Sequence, residues 1–201
     1  MEELPEIIAP RLFGPKILQA LEFAAIAHHG QVRRGLREVP YISHPAAVGL
    51  LLARAGFAED VVIAGVLHDV LEDTEVTPTE LEERFGKLVA DYVQGVSEDK
   101  TLEYVARKLQ YIAQIETALP EVKAISAADK IANMTNVIVM HEEGEDVLHT
   151  IFGSYAKEAL RRAELEYAAV AKNFSHELVL EHKVVLERYR TVLLNFITHG
   201  G

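Results

Sequence analysis

The residues best suited to chemistry lie in the segment 66–74, which reads VLHDVLEDT. His68 and Asp69 are adjacent there, and an imidazole beside a carboxylate offers two ligands for a divalent metal. Glu72 follows one helical turn later, so His68, Asp69 and Glu72 would share one face of a helix, with Asp73 at its end. Because buried titratable groups are unfavourable without a partner, this segment predicts a bound cation.

Two further ligand candidates lie elsewhere in the chain. His44 stands just before Pro45, a residue suited to the first turn of a helix, so its ring is expected to point away from the helix body. Asp129 interrupts a run of small apolar residues. Taken alone, His44 could instead be a capping or hydrogen-bonded histidine. Asp129 alone could be a surface residue paired with Lys130 or Lys123.

Together these candidates form a set of two histidines and two carboxylates. Its members are His44, His68, Asp69 and Asp129. Such a donor set suits Mn, Fe, Zn or Mg chemistry. The chain has no cysteine, which excludes thiolate metal sites, disulfides and a cysteine nucleophile.

The composition is that of a compact globular protein. Hydrophobic residues make up 49% of the 201 residues, with only 7 prolines and 12 glycines, which argues against disorder. We expect one domain over residues 1–201, with a motif-bearing core at about 16–141 and C-terminal helices at about 146–197. The acidic N-terminal residues lack a signal-peptide pattern and no apolar run reaches membrane length, so a cytoplasmic location is expected.

The charge distribution points to a small anionic ligand. A net charge of -11 argues against non-specific binding of nucleic acid, and a membrane partner is not expected. Three arginines nevertheless crowd the loop between Gly30 and Pro40, at positions Arg33, Arg34 and Arg37. A basic loop on an acidic protein can mark the binding of a small anion, although a solvated loop is the simpler interpretation of this segment alone. The sequence is compatible with a homo-oligomer.

Helical periodicity extends through nearly the whole chain, without a convincing alternating strand. Helices are predicted at residues 16–28, 45–56, 59–72, 87–96, 101–119, 120–141, 146–172 and 175–196. A capping box at Thr77 and Glu80 predicts one more short helix that ends at Gly86. The predicted fold class is therefore all-α, a single compact multi-helix bundle.

The order of the four candidate ligands resembles the signature of the HD superfamily of metal-dependent phosphohydrolases. The likeness is closer to the hydrolase domain of RelA/SpoT proteins, and it is carried by segments 27–34, 40–45, 67–74, 85–86, 95–102 and 128–134. It covers roughly residues 24–137, while the synthetase and regulatory regions of long RelA/SpoT proteins have no counterpart. The chain is therefore similar to small alarmone hydrolases, the class that includes the metazoan SpoT homologue.

The resemblance implies hydrolysis of the 3′-pyrophosphate of ppGpp or pppGpp to GDP or GTP and pyrophosphate, with Mn²⁺ as cofactor. On the family's pattern, His44, His68, Asp69 and Asp129 bind the metal, and Glu72 and Asp73 place or deprotonate the attacking water. The same pattern assigns the nucleotide substrate to Arg33, Arg34, Lys100 and Asn133.

The loop from Arg33 to Pro40 is longer than the family's usual spacing, and this departure leaves two alternatives open. One is a phosphohydrolase for another nucleotide or a small phosphoester such as NADPH. The other is a non-catalytic nucleotide-binding sensor, although such a protein would have no use for Glu72 and Asp73. Phosphate contacts from the C-terminal helices are assigned hypothetically to Lys157 or Arg161.

The remaining histidines carry no motif that predicts chemistry. His28 is expected to be a supporting or structural residue. Surface or helix-end positions are expected for the others, which are His29, His141, His149, His176, His182 and His199.

Overall fold

The structure is a computed structural model that describes residues 14–35 and 38–199. The described chain is helical, which confirms the all-α prediction, and its one β feature is an isolated bridge between Val32 and Pro40. The first six helices are α1 Pro15–Ala27, α2 Ser43–Arg54, α3 Glu59–Leu67, α4 Val70–Asp73, α5 Pro78–Phe85 and α6 Lys87–Val96. The others are α7 Tyr104–Thr117, α8 Pro120–Glu142, α9 Val147–Ile151, α10 Ala156–Ala171 and α11 Glu177–His199.

Helices α3 and α8 form the centre of the fold. All seven residues from Val61 to Leu67 are buried, as expected for a helix that is apolar on every side. Helix α3 packs against α1, α2, α6 and α8, and α8 also packs against α11. Helix α3, which ends just before His68, and helix α8, which carries Asp129, therefore lie at the centre of the packing among the described residues.

Glycines bring α2 and α3 into close contact. A Cβ atom at Gly49 would lie 2.5 Å from Cγ2 of Val66, and one at Gly65 would overlap the side chain of Leu52. Absence of these Cβ atoms lets the two helix backbones approach. His44 lies on α2, and His68 directly follows α3.

The predicted third helix, residues 59–72, is interrupted. Helix α3 ends at Leu67, and the one-turn helix α4 begins at Val70 after a bend at His68 and Asp69. Nδ1 of His68 lies 2.8 Å from the carbonyl oxygen of Gly65, which in a continuous helix would accept the amide of Asp69. The side chain thus competes with the backbone for this acceptor, and the prediction of one unbroken helical face was wrong.

A second difference lies in the C-terminal part, where one helix was predicted over residues 146–172. The structure has α9, a 3-10 turn at Gly153–Tyr155 and then α10. Gly153 adopts a φ of 48°, a left-handed conformation that ends the first helical segment. The break turns α10 so that it packs against α7, α8 and α11.

The N-cap half of the predicted capping box is present, because Oγ1 of Thr77 accepts the amide of Glu80 at 3.2 Å, while the Glu80 carboxylate contacts Arg84. Gly86 ends the helix with a φ of 89°. Elsewhere the predicted helix bounds agree with the structure to within a few residues. No helix in the described part of the chain combines the length and apolar character that a membrane crossing needs.

Candidate metal centre and active site

Three parts of the fold bring the candidate ligands together. His44 lies in the first turn of α2, His68 and Asp69 form the bend after α3, and Asp129 lies midway along α8. Both α2 and α8 pack against α3, so residues that are distant in sequence meet at one place. Both histidine rings are buried.

The donor atoms of these four residues converge. Nε2 of His44 lies 3.2 Å from Nε2 of His68 and 3.1 Å from Oδ1 of Asp129. Oδ2 of Asp69 lies 2.9 Å from Nε2 of His68 and 3.6 Å from Nε2 of His44. One atom each from His44, His68 and Asp129 lies within 4.8 Å of the others, a spacing at which a single ion could contact them.

Neighbouring groups orient the histidine and the carboxylate of the bend. The bond from Nδ1 of His68 to Gly65 leaves Nε2 to face the other donors. The hydroxyl of Tyr41 donates to Oδ2 of Asp69 at 2.5 Å. Burial and the charge of Asp69 raise the pKa of Tyr41, so its hydroxyl stays protonated and available for this bond.

Asp129 is held from two sides. The side-chain amide of Asn133 donates to Oδ1 at 2.5 Å, and the ammonium group of Lys130 contacts Oδ2 at 2.9 Å. The carboxylate is only 13% exposed, so Asp129 is not a surface residue, although its pairing with Lys130 was foreseen. Lys123 contacts backbone carbonyls at a different place.

The electrostatics of the cluster call for a cation. Burial raises the pKa of Asp129, but Lys130 and the nearby histidines outweigh it and hold that pKa well below its usual range. Burial alone would lower the pKa of His68, yet the adjacent Asp69 raises it to about 9. A proton on His68 therefore supplies positive charge between two ionised carboxylates. A divalent cation bound by the same four donors would supply that charge instead, so the residues fit a metal.

Glu72 lies on α4 at the wall of the same cavity but does not join the four-donor cluster. Its Oε1 accepts the backbone amide of Glu98 at 3.0 Å. Burial, which outweighs the hydrogen bond from that amide, raises the pKa of Glu72 to about 7. A carboxylate with this pKa can exchange a proton near neutral pH.

Asp73 and Lys100 form an ion pair beside Glu72. The ammonium group of Lys100 lies 2.5 Å from Oδ1 of Asp73 and donates to the carbonyl of Glu72 at 2.7 Å. Gln31 donates to the carbonyl of Asp73 at 2.7 Å, and His28 contacts Gln31 at 2.9 Å. These contacts join the acidic pair to the loop after α1.

The basic loop reaches the same site through Arg33. Its guanidinium donates to Oδ1 of Asn133 at 2.8 Å and lies 5.7 Å from the centre of the Tyr41 ring. Arg34 is exposed and lines the cavity. Arg37, the third arginine of the predicted cluster, lies outside the described residues.

A cavity of about 680 Å³ is lined by the four candidate ligands, by Glu72 and Asp73 and by Arg33, Arg34 and Asn133, whereas Lys100, a predicted substrate contact, does not line it. It also extends between α8, α10 and α11, where it is lined by charged and polar residues to which the sequence motifs gave no role. They are Lys130, Arg162, Glu166, His182 and Tyr189. The helical period could have indicated three of them, because Glu166, His182 and Tyr189 fall among the buried positions of α10 and α11.

Two expectations for the C-terminal helices need correction. His182 was expected at the surface or at a helix end, but it is fully buried in the interior of α11. Lys157 and Arg161 were the candidates for phosphate contacts, but both are exposed and neither lines the cavity. Arg162 lines it instead, because one residue changes the direction of a side chain on a helix by about 100°.

The HD-domain pattern matches residues 20–162, which is more than half of the chain and includes all four candidate ligands. The chain belongs to the HD-domain family. Membership agrees with a divalent-metal site, for which the structure offers the cluster of His44, His68 and Asp129.

Several curated HD-domain relatives share extended sequence similarity with this chain. The guanosine-3′,5′-bis(diphosphate) 3′-pyrophosphohydrolase MESH1 of Mus musculus is 37% identical over 124 residues, which are 61% of this chain and 69% of the relative. MESH1 of Homo sapiens is 36% identical over 131 residues, or 64% of this chain and 73% of the relative. The bifunctional (p)ppGpp synthase/hydrolase SpoT of Escherichia coli is 30% identical over 83% of this chain and 22% of its own length.

Solved structures of similar fold agree with this assignment. A metazoan orthologue of SpoT that hydrolyses ppGpp matches with a TM-score of 0.77 and 26% identity, over 88% of this chain and 96% of the other. A protein of Listeria monocytogenes matches with a TM-score of 0.65 and 33% identity, over 75% and 97% of the two chains. The HD-domain fold therefore accounts for most of the chain.

Proposed function

We propose that this HD-domain protein hydrolyses the 3′-pyrophosphate of ppGpp and pppGpp, releasing GDP or GTP and pyrophosphate. One observation carries the proposal. A single cavity is lined both by the donor cluster, whose charges favour a bound cation, and by the acidic pair Glu72 and Asp73. The names of the similar curated proteins supply the substrate.

The cofactor in this proposal is Mn²⁺, held by His44, His68, Asp69 and Asp129. Nitrogen and carboxylate donors in equal number suit this ion. When bound, the ion would neutralise charge on the phosphate and acidify water at the site. Tyr41, Asn133 and Lys130 orient the two carboxylates through the hydrogen bonds and the ion pair described above.

Glu72 accepts the proton of the attacking water. With a pKa of about 7 caused mainly by burial, its carboxylate is a suitable base near neutral pH. The water oxygen bonds to the phosphorus attached to the ribose 3′-oxygen, and the bond from that phosphorus to the 3′-oxygen breaks. The 3′-oxygen takes up a proton and becomes a hydroxyl group, and pyrophosphate leaves.

Asp73 orients the water, and the basic residues bind the nucleotide. The ion pair with Lys100 holds Asp73 in place beside Glu72. Arg33 and Arg34 present guanidinium groups, which can pair with phosphate or stack on a base. Asn133 links this loop to Asp129, so nucleotide binding and the metal centre are joined by direct contacts.

The direct test is incubation of the purified protein with ppGpp and Mn²⁺, followed by chromatographic separation of the nucleotides. We expect GDP and pyrophosphate in equal amounts, and no reaction when the metal is chelated. A parallel panel should contain NADPH and other phosphorylated nucleotides. Intact ppGpp alongside cleavage of another compound would overturn the proposal and favour the alternative phosphoester substrate.

A further inference from the structure

The part of the cavity between α8, α10 and α11, here called the inner arm, has no role in substrate binding so far. It is lined by Lys130, Arg162, Glu166, His182 and Tyr189. The ammonium group of Lys130 lies 4.0 Å from Oε1 of Glu166, and Nε of Arg162 lies 3.7 Å from the same oxygen. Since Lys130 also contacts Asp129, charged groups extend without interruption from the metal cluster into the inner arm.

Polar groups in the inner arm lack partners. His182 is fully buried, and neither of its ring nitrogens has a hydrogen-bond partner among the described residues. Tyr189, seven residues later on the same face of α11, is also buried and lines the same arm. A ligand that pairs with the unsatisfied nitrogens of His182 would therefore be favoured.

The charges of the inner arm favour an anionic ligand. Lys130 contacts the carboxylates of Asp129 and Glu166, and Arg162 contacts Glu166 and donates to the hydroxyl of Tyr104. A cation bound to Asp129 would leave Glu166 as the one carboxylate shared by the two basic groups. With that cation bound, the two positive charges of Lys130 and Arg162 would face a single carboxylate in the arm. Tyr189 can add a hydroxyl donor and His182 an N–H donor, and such donors are typical of phosphate sites.

The two oxygens of the Asp129 carboxylate contact different parts of the site, and this indicates which phosphate of the substrate the inner arm would bind. Asn133 accepts a hydrogen bond from Arg33 of the basic loop and donates to Oδ1 of Asp129. Lys130 of the inner arm contacts Oδ2 of Asp129. The basic loop and the inner arm are thus connected to different oxygens of the Asp129 carboxylate. A phosphate chain that extends from the nucleoside past the metal centre would therefore reach the inner arm.

We propose that the inner arm binds the outer phosphate of the substrate's 3′-pyrophosphate group, through Arg162, Lys130 and Tyr189. This inference rests on the proposed function and adds a selection rule to it. The protein distinguishes a pyrophosphoryl group from a single phosphoryl group by occupancy of the arm. A substrate with one phosphate at the cleaved position leaves Arg162 and Tyr189 without a ligand.

Direct binding tests this inference without catalysis. Titration calorimetry with the Mn²⁺-loaded protein compares inorganic pyrophosphate with inorganic phosphate. We expect Arg162→Gln to weaken pyrophosphate binding about tenfold or more, as for loss of a charge-assisted contact, and to change phosphate binding less than about twofold. Arg161→Gln is the matched control, because this exposed neighbour does not line the cavity.

Tyr189→Phe removes one hydroxyl group and should weaken pyrophosphate binding by a few-fold while the fold is kept. Equal effects of Arg162→Gln on both anions, no effect on either, or no pyrophosphate binding by the wild type would each overturn the inference. Failure of the proposed function is a separate outcome, namely a wild-type protein that binds pyrophosphate through Arg162 but leaves ppGpp intact.

Discussion

His68 has two roles, and each nitrogen of its ring serves one of them. Nδ1 bonds to the carbonyl of Gly65 and ends α3, while Nε2 faces His44 and Asp69. The end of the helix and the orientation of the ligand therefore depend on the same ring. This explains why Asp69 turns towards His68 while Glu72 accepts the amide of Glu98.

Glu72 allows the sharpest residue-scale prediction. Glu72→Gln removes the proton acceptor but keeps the size of the side chain, so kcat with ppGpp should fall by about 10²- to 10⁴-fold. Binding of Mn²⁺, measured by calorimetry, should be unchanged because Glu72 is not a ligand in the proposed set. Glu75→Gln, an exposed neighbour that does not line the cavity, is the control. A Glu72→Gln variant with wild-type turnover would contradict the assigned role.

The pH dependence of kcat follows from the same carboxyl group. Burial raises the pKa of Glu72 to about 7, and only its ionised form accepts a proton. Activity should therefore fall as the pH drops through this pKa, with the slope of a single protonation, and level off above it. A bound cation nearby would lower the midpoint. A pH–rate profile that is flat on the acidic side would show that another group accepts the proton.

At the scale of elements, the start of α8 ties together the ends of two other helices. The ammonium group of Lys123, a buried residue in the first turns of α8, donates to the carbonyl of Glu116 at 3.0 Å and to that of Lys172. These carbonyls lie in the last turn of α7 and just after α10, where helices leave acceptors unpaired. One side chain thus satisfies two helix ends.

Lys123→Met should destabilise the protein by about 2 kcal/mol, because the two carbonyls lose their donor while the side chain keeps its length. Urea denaturation followed by circular dichroism measures this change. Lys87→Met is the control, since Lys87 is exposed and pairs with Asp91 only one turn away. An equal loss in both variants would mean that the carbonyls of α7 and α10 do not depend on Lys123.

At the scale of the whole molecule, the metal is expected to be coupled to folding. The donor cluster joins α2, the bend after α3 and α8, so a bound ion would stabilise only the folded chain. Free Mn²⁺ at one hundred times its Kd should add about 2.7 kcal/mol, which is roughly 5–10 °C in Tm for a protein of this size.

Differential scanning fluorimetry with and without chelator would measure this shift. Asp69→Ala should abolish the Mn²⁺-dependent shift in Tm. In the presence of Mn²⁺ this variant should therefore unfold at a lower temperature than the wild type. Asp91→Ala, which removes an exposed carboxylate far from the cluster in sequence, should retain the full shift. A Tm that is independent of Mn²⁺ in the wild type would contradict the coupling.

The fold class, the N-cap at Thr77 and the types and order of the candidate ligands could all be read from the amino-acid sequence. Helical periodicity and capping depend on neighbours within a few residues, which are legible in a single chain. The bend at His68, the contact of Tyr41 with Asp69 and the position of Arg162 rather than Arg161 at the cavity are visible only in the tertiary structure. These features depend on helix rotation, on competition for one carbonyl and on partners far apart in sequence, and local patterns do not specify such relations.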